Sequence, residues 1–235
     1  MFEHSAYRKL ICSKICGRAT LVDKKIIMTK IVQIKQTRIQ REKRLLIQKA
    51  ALQVFSEFGL RGATLDKIAK ACGLTKPNIL YYYSSKDEIY AEVLQSLLEE
   101  WIRPLKDISE NGDPLTEILK YVQKKLTMSK TKKQESKLFA TEILHGAPLT
   151  QNILAGSLKE TVDDKVKLLN KWISEEKIAP VDPYHLIFSI WSMTQHYADF
   201  DVQVYSLLNT KKRSSIFQDA EDFLLTFFTR CLKQN

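Results

Sequence analysis

Glycine, proline and cysteine are scarce in this sequence. Its 235 residues include only 7 Gly and 6 Pro. A fold built from many short strands needs such residues at its turns, so an all-β architecture is disfavoured. The 4 Cys, at positions 12, 16, 72 and 231, show no CxxC spacing and are too few for a disulfide-stapled scaffold. We therefore expect free thiols in a reducing cytoplasm. Cys12, Cys16 and His4 could be considered as metal ligands, but a fourth ligand is missing and their spacing is poor, so we expect no metal site.

Long hydrophobic runs are also missing. The longest apolar segments, 186–191 and 223–228, are broken by Ser189 and Thr226, and neither approaches the ~18 residues of a membrane-spanning helix. The N-terminus lacks the continuous apolar core of a secretory signal. These absences favour a cytoplasmic protein without a membrane partner. Met28 is an alternative translation start, so the sequence leaves open whether residues 1–27 are made.

Positive charge is abundant but unevenly placed. The formal net charge is +10, and residues 1–47 hold 12 Lys/Arg against 3 acidic residues, whereas the rest of the chain holds 25 basic and 24 acidic residues. A basic N-terminal arm is typical of proteins that meet nucleic acid or an anionic surface, although a solvated tail has the same composition. We expect residues 1–36 to be a basic, disordered arm.

Helical periodicity dominates the remainder. The first apolar stripe predicts a helix from a capping start at Thr37 to a stop at Gly59. Similar stripes predict about nine helices and no strands, an all-α fold. Pro104 should kink its helix or end it at Arg103, and the segment 184–199 is apolar nearly all round, so we expect it to be buried. The first stripe comprises Ile47, Ala50, Ala51, Val54, Phe55 and Phe58.

Residues 65–83 have the pattern of a helix-turn-helix. Ala69 is small where two helices cross closely, and Gly73 can adopt the left-handed conformation that the turn requires. Thr75 opens a second helix in which Pro77 is tolerated, because first-turn amides have no intrahelical partner. The pattern predicts a module that reads the major groove of DNA. Its apolar positions are Ile68, Cys72, Leu74, Ile79 and Tyr82.

The motif resembles the TetR family of bacterial repressors. The resemblance lies in residues 54–59, 62–64, 68–69 and 73–88. One departure is the family's Phe-Pro-Ser-Lys ending, which here reads Tyr83-Ser84-Ser85-Lys86 without the proline. The resemblance implies a three-helix DNA-binding domain at 37–84, an effector-binding and dimerisation domain at 85–235, and neither catalytic activity nor a cofactor.

Further stretches are similar to the TetR-family members that repress pyrimidine-utilisation genes. This likeness implies uracil or thymine as the effector and pyrimidine-degradation genes among the targets. It also implies a homodimer built on the last two helices. The stretches are 101–106, 146–148, 179–183, 185–188 and 191–200.

The helix-turn-helix supplies the candidate DNA-binding residues. Lys76 and Asn78 can donate to base edges, since lysine suits guanine and asparagine suits adenine. Thr64, Thr75, Tyr82 and Lys86 are placed for phosphates, and Pro77 and Tyr81 complete the tip, with core packing of one tyrosine among 81–83 as the alternative. Arg38, Arg41 and Arg44 reach the flanking minor groove or backbone, or are solvated.

The effector pocket must offer polar groups to match a flat heterocycle and aromatic faces to stack on it. One stripe of the helix at 184–199 carries Phe188, Trp191 and Gln195, and another carries Ser192, His196 and Asp199. The second stripe could equally hydrogen-bond to neighbouring helices or to a partner subunit. Trp101, Phe139 and Glu142 complete the set, with core packing and solvation as the alternatives for Trp101 and Glu142.

Three rival functions remain at this point. A hydrolase could use His196 with Asp199, but no nucleophile is present at a recognisable elbow. A non-specific DNA or membrane-surface binder could rely on the basic arm. A regulator of the same family could respond to an unrelated small molecule.

Overall fold

Helices separated by short turns make up the described part of the chain. The structure is a computed structural model that describes residues 21–208 and 213–234, with side chains described for 38–208 and 215–234. Within these ranges every regular element is helical, which confirms the all-α prediction. Cys12 and Cys16 lie outside the described residues, as does most of the predicted arm.

The helices are numbered in chain order. The N-terminal elements are α1 (Leu21–Gly62), α2 (Leu65–Cys72), α3 (Lys76–Tyr82) and α4 (Lys86–Lys106). They are followed by α5 (Pro114–Thr131), α6 (Lys133–Leu144), the single turn α7 (Gln151–Ile153) and a π-helical turn (Leu154–Leu158). The last elements are α8 (Lys159–Ser174), α9 (Pro183–Asp199), α10 (Asp201–Leu208) and α11 (Arg213–Leu232).

The start of α1 differs from the sequence expectation. The backbone is helical from Leu21, well before Thr37 and within the segment for which we expected a disordered arm. No Gly or Pro occurs between Leu21 and Thr37, so nothing in that stretch interrupts helix propagation. The predicted stop is present as a break at Gly59, where φ is 65°.

Side-chain caps set most of the other boundaries. Thr64, Thr75, Ser85, Asp113 and Asp182 each accept a backbone N–H in the first turn of the helix that follows, and the start predicted at Thr75 is confirmed. Of the two outcomes expected at Pro104, an end of the helix at Arg103 is wrong, because α4 continues through it to Lys106. Proline removes one N–H donor to the preceding turn, and α4 ends two residues after it.

The described residues up to Ile47 form one compact unit, and those from Gln48 onward form a second. In the second unit a large apolar core is shared by α4, α5, α8, α9 and α11. Its α5 lies against both α9 and α11, with Trp172 and Tyr121 among the fully buried side chains. Two of the helices that share this core, α4 and α5, also carry the buried side chains of Trp101 and Lys125.

The prediction that the helix at 184–199 is buried all round is wrong. Ile187 and Ile190 of α9 are buried in the core, but Tyr184 and Phe188 on its other side are exposed. The helix α10 was missed altogether, and it also exposes apolar side chains, with Val202 73% and Leu207 76% exposed. Both errors have one cause. Some apolar side chains on α9 and α10 are not covered by the rest of the same chain, so an apolar sequence there does not mean a buried helix.

Two further features concern the described residues alone. In that part of the chain no helix is long and apolar enough to cross a membrane. Nor do three or more His, Cys, Asp or Glu side chains there gather into a group that could hold a metal ion.

Candidate DNA-binding and effector sites

The turn between α2 and α3 is held by Gly73. Its φ of 67° lies in the left-handed region, which residues with a Cβ rarely adopt. The Leu74 N–H donates to the Ala69 carbonyl at 2.9 Å, and the Gly73 N–H donates to the Lys70 carbonyl at 3.3 Å. These bonds satisfy carbonyls at the end of α2. The backbone therefore makes the tight corner that the sequence pattern predicts.

The N-terminal tip of α3 is polar and faces solvent. The Thr75 hydroxyl accepts the Asn78 N–H at 3.4 Å, and the Asn78 carboxamide oxygen accepts the Thr75 N–H at 3.3 Å. This reciprocal capping box fixes the first turn. The side-chain NH2 group of Asn78 takes no part in it. Lys76 pairs with Asp66 of α2 at 3.2 Å in an exposed ion pair. The exposed residues of the tip are Thr75, Lys76, Pro77, Asn78 and Tyr81.

The base of the module is tied to α4. The Lys86 ammonium donates to the Leu60 carbonyl at 2.7 Å and to the Ala63 carbonyl at 3.0 Å. Two of its three donors therefore hold the chain before α2 rather than facing outward. Tyr83 is 1% exposed, which confirms that one of the three tyrosines is core, while Tyr82 is half-buried.

The predicted arginines lie in the middle of α1. Arg38 and Arg41 are exposed, and Arg44 is half-buried. Arg38 donates to Glu42 at 2.9 Å. That hydrogen bond, together with the negative charge of Glu42, raises the pKa of Arg38 above its ordinary value.

A second polar feature is buried at the end of α4. The Lys125 ammonium of α5 is 4.2 Å from the ring centroid of Trp101, a cation–π distance, and Lys125 is only 3% exposed. No acceptor among the described residues is hydrogen-bonded to its Nζ. Burial lowers the pKa of Lys125 to about 7, against the opposing effect of the Asp199 charge. The Trp101 indole N–H is also buried without a partner.

Asp199, at the end of α9, supplies the negative charge of this cluster. The Ser136 hydroxyl of α6 donates to its Oδ1, and Ser136 is fully buried. Burial raises the pKa of Asp199, while the Ser136 hydrogen bond and the Lys125 charge act in the opposite direction. No ion pair joins Asp199 to Lys125 among the described residues. We call Trp101, Lys125, Ser136 and Asp199 the interior cluster.

Glu142 occupies a separate buried position on α6. It is 3% exposed, so the alternative of a solvated acid is wrong. One carboxylate oxygen accepts the Leu149 N–H at 2.8 Å, and the carboxylate lies close enough to the Tyr90 phenol of α4 to act on it by its charge. Burial, and then Glu142, raise the pKa of Tyr90 to about 12. The Tyr90 ring packs edge-on against Phe55 of α1 with centroids 4.9 Å apart.

Comparison with known proteins matches two consecutive stretches of the chain to family models. The model described as "Bacterial regulatory proteins, tetR family" matches residues 47–93, and "YcdC-like protein, C-terminal region" matches residues 94–235. The HTH-type transcriptional regulator RutR of Escherichia coli (strain K12) is 43% identical over 183 residues, which are 78% of this chain and 86% of RutR.

The chain belongs to the TetR family.

Solved structures of other DNA-associated regulators share this fold. The ketosteroid transcriptional regulator KstR2 of Mycobacterium tuberculosis has a TM-score of 0.61 at 18% identity, covering 82% of this chain and 96% of KstR2. AibR, solved in complex with isovaleryl coenzyme A and operator DNA, has a TM-score of 0.59 at 16% identity, covering 78% of this chain and 96% of AibR. Membership of the TetR family makes the protein a DNA-binding transcriptional regulator and excludes the hydrolase alternative.

In this TetR-family chain the predicted effector residues separate by burial. Trp101 and Glu142 are buried, and Phe139, Trp191, Gln195 and Asp199 are half-buried. In contrast, Phe188, Ser192 and His196 lie on the exposed side of α9. The Ser192 hydroxyl donates to the Ser189 carbonyl at 3.1 Å, and the His196 ring stacks on Phe200 at 5.1 Å. The structure does not bring Phe188 and Ser192 together with the interior cluster, whereas His196 lies close enough to Asp199 for its charge to act on the Asp199 carboxyl.

Sequence reasoning missed Lys125, Ser136 and Tyr121. Tyr121 is buried and accepts the Trp191 indole N–H at 2.5 Å. Lys125 falls three residues after Val122 and seven after Ile118, on the apolar face of α5. A lysine on the buried stripe of a helix is uncommon, and that irregularity was the signal that could have found it.

Proposed function

We propose that the protein is a homodimeric, cytoplasmic TetR-type repressor of pyrimidine-utilisation genes, released from its operator by uracil or thymine. Support for the DNA-binding role comes from the exposed polar tip of α3 on a helix-turn-helix closed by Gly73. Support for the effector comes from the resemblance in the C-terminal stretches and from the interior cluster. That cluster offers donors and an acceptor, as a pyrimidine base requires.

Binding to an operator follows from two copies of the module. In a symmetric dimer each α3 enters a major groove, with half-sites about 34–36 Å apart. Lys76 leaves its exposed pair with Asp66 to contact a base edge, at little cost because such surface pairs are weak. Asn78 reads bases with its amide group, and Thr64 and Thr75 contact phosphates. Tyr81, Tyr82, Pro77 and Lys86 complete the contact surface, and Arg38, Arg41 and Arg44 add backbone or minor-groove contacts.

The homodimer is supported by exposed apolar side chains near the end of the chain. Phe223 and Phe227 of α11 stack with centroids 6.1 Å apart, and Phe223 is 57% exposed. The neighbouring α10 exposes Val202 and Leu207. Exposed apolar clusters of this kind usually mark an interface, and a two-fold partner gives the symmetry that paired half-sites need.

Operator release is the test of this proposal. A DNA site selected from a random pool is labelled, and binding is followed by fluorescence anisotropy with uracil, thymine or cytosine added at millimolar concentration. We expect uracil or thymine to release the DNA and cytosine to have little effect, because cytosine carries a different donor pattern. Release by an unrelated metabolite alone would leave a TetR-type regulator with another effector.

A salt titration separates specific binding from charge-only binding. The affinities for the selected site and for random DNA are compared as salt is raised. A repressor keeps a large ratio between them, whereas a protein that relies on its basic arm does not.

A further inference from the structure

The interior cluster contains more hydrogen-bond donors than the protein satisfies. The Trp101 indole N–H is buried and has no partner, and the Lys125 ammonium has no hydrogen-bond acceptor among the described residues. A buried donor without an acceptor costs the full loss of its hydration. Such groups persist in a native protein when something else satisfies them or when they serve a function.

The acceptor side of the same cluster is already oriented. Asp199 receives the Ser136 hydroxyl on Oδ1, which leaves its second oxygen outside that bond. Asp199 is close enough to influence the protonation of Lys125 by its charge, yet no ion pair joins them. A direct ion pair would be the usual arrangement for two opposite charges buried in one place. Because they are not paired with each other, the Lys125 donor and the Asp199 acceptor are both available to a ligand that carries a hydrogen-bond acceptor next to a donor.

We propose that the effector bridges Lys125 and Asp199 through a cyclic CO–NH edge. Its carbonyl oxygen accepts a hydrogen bond from the Lys125 amine, and its ring N–H donates to the Asp199 carboxylate. The Trp101 indole N–H donates to a second acceptor of the same molecule. The inference rests on the proposed function and goes beyond it, because it names the residues that read the ligand and the chemical edge that they read. Lys125 and Ser136 were not among the residues predicted from the sequence.

The ligand class follows from the two partners. A carboxylic acid would bring a negative charge toward Asp199, and an amine would bring a positive charge toward Lys125. Both carry an electrostatic penalty in a buried site. A neutral lactam or imide ring satisfies both groups and stays uncharged, and its flat shape suits an aromatic wall.

The test measures ligand binding by isothermal titration calorimetry on the full chain at neutral pH, with uracil, thymine and hydantoin as probes. Lys125→Met is compared with Lys124→Met, the matched control on the same helix, whose ammonium is exposed and pairs with Asp107. We expect Lys125→Met to weaken binding at least about tenfold and Lys124→Met to leave it unchanged. Equal affinities for wild type and Lys125→Met would overturn the inference.

A second pair of measurements tests the acceptor side. The probe 1,3-dimethyluracil keeps both carbonyls but has no N–H, so we expect it to bind wild type at least about tenfold more weakly than uracil does. Asp199→Asn should lose affinity for uracil while changing little toward the dimethylated probe. Equal binding of both probes to wild type would show that no ring N–H is read.

Failure of the inference and failure of the proposed function give different results. If uracil releases operator DNA equally from wild type and from Lys125→Met, the repressor stands and the inference fails. If the probes bind through Lys125 without changing DNA affinity, the inference stands and the proposed function fails. If no CO–NH ring binds wild type at millimolar concentration, the inference fails whatever DNA binding shows.

Discussion

The amine of Lys125 belongs to a residue that is only 3% exposed to water. Burial lowers its pKa to about 7 from the ordinary 10.5, so in the folded protein the ammonium is disfavoured relative to the unfolded chain. Between these two values the unfolded state binds more protons, and the contribution of this residue to stability therefore improves as pH rises through that window. Below pH 7 the full destabilisation is present.

Replacing Lys125 by methionine should stabilise the protein while it removes a ligand contact. Methionine fills a similar volume and keeps a favourable contact with the Trp101 ring. We expect a gain of about 1–4 kcal/mol in the free energy of unfolding at about pH 6.5, as when buried charges are replaced by apolar groups. By the linkage above, the gain should shrink at about pH 9.5.

Urea unfolding at the two pH values measures this effect, with Lys124→Met as the control. Lys124→Met should have the same free energy of unfolding as wild type at both pH values. A Lys125→Met variant that is less stable than wild type at about pH 6.5 would show that the buried amine is stabilised in the native state.

The elements of the helix-turn-helix could be predicted because their determinants are local. Thr64 and Thr75 cap the helices that follow them, and Gly73 makes the turn, all within a few residues of the structure that they specify. The exposed side of α9 and the helix α10 could not be predicted. Apolar side chains such as Phe188 have the same spacing whether a core or a second chain covers them. Lys125 was missed for the related reason that tertiary packing decides which polar side chains are buried.

Gly73 gives an element-scale prediction. An added Cβ would meet no atom within 4 Å, so the cost of Gly73→Ala is conformational and comes from φ of 67°. We expect the free energy of unfolding to fall by about 1–2 kcal/mol. For Gly73→Asn the free energy of unfolding should fall less, because asparagine tolerates the left-handed region.

Thermal and urea unfolding of the two variants, alongside operator affinity, check this prediction. If operator affinity falls in the same order as the free energy of unfolding, the conformation of this turn determines the placement of α3. If Gly73→Asn were the more destabilised variant, strain at this turn would not be the dominant effect.

At the scale of the whole molecule, the proposed homodimer should depend on the aromatic pair of α11. Phe223→Asp places a charge on a face that we expect to be covered by a second copy. Removing an interface anchor commonly costs about 2 kcal/mol or more, equivalent to a roughly thirtyfold weaker dimer. Leu144→Asp is the matched control, since Leu144 is 83% exposed and lies on α6.

Sedimentation equilibrium of the purified variants gives the dimer dissociation constants. Phe223→Asp should shift the protein toward monomer and weaken operator binding, whereas Leu144→Asp should do neither. An unchanged dimer in Phe223→Asp would move the interface away from α11.

The electrostatic coupling between Tyr90 and Glu142 has a consequence for the response to the inducer. Tyr90 touches Phe55 of α1, and Glu142 also holds the Leu149 amide, so one phenol links the helix before the reading head to the loop after α6. Tyr90→Phe removes the phenol on which Glu142 acts, and we expect it to change the effector-induced drop in operator affinity more than effector binding itself. Calorimetry and DNA anisotropy on the same preparation measure the two quantities, and equal changes in both would contradict this role.

A reporter screen for alleles that no longer respond to the inducer should therefore return substitutions at Tyr90 and Glu142, although neither residue belongs to the DNA-binding tip or to the interior cluster.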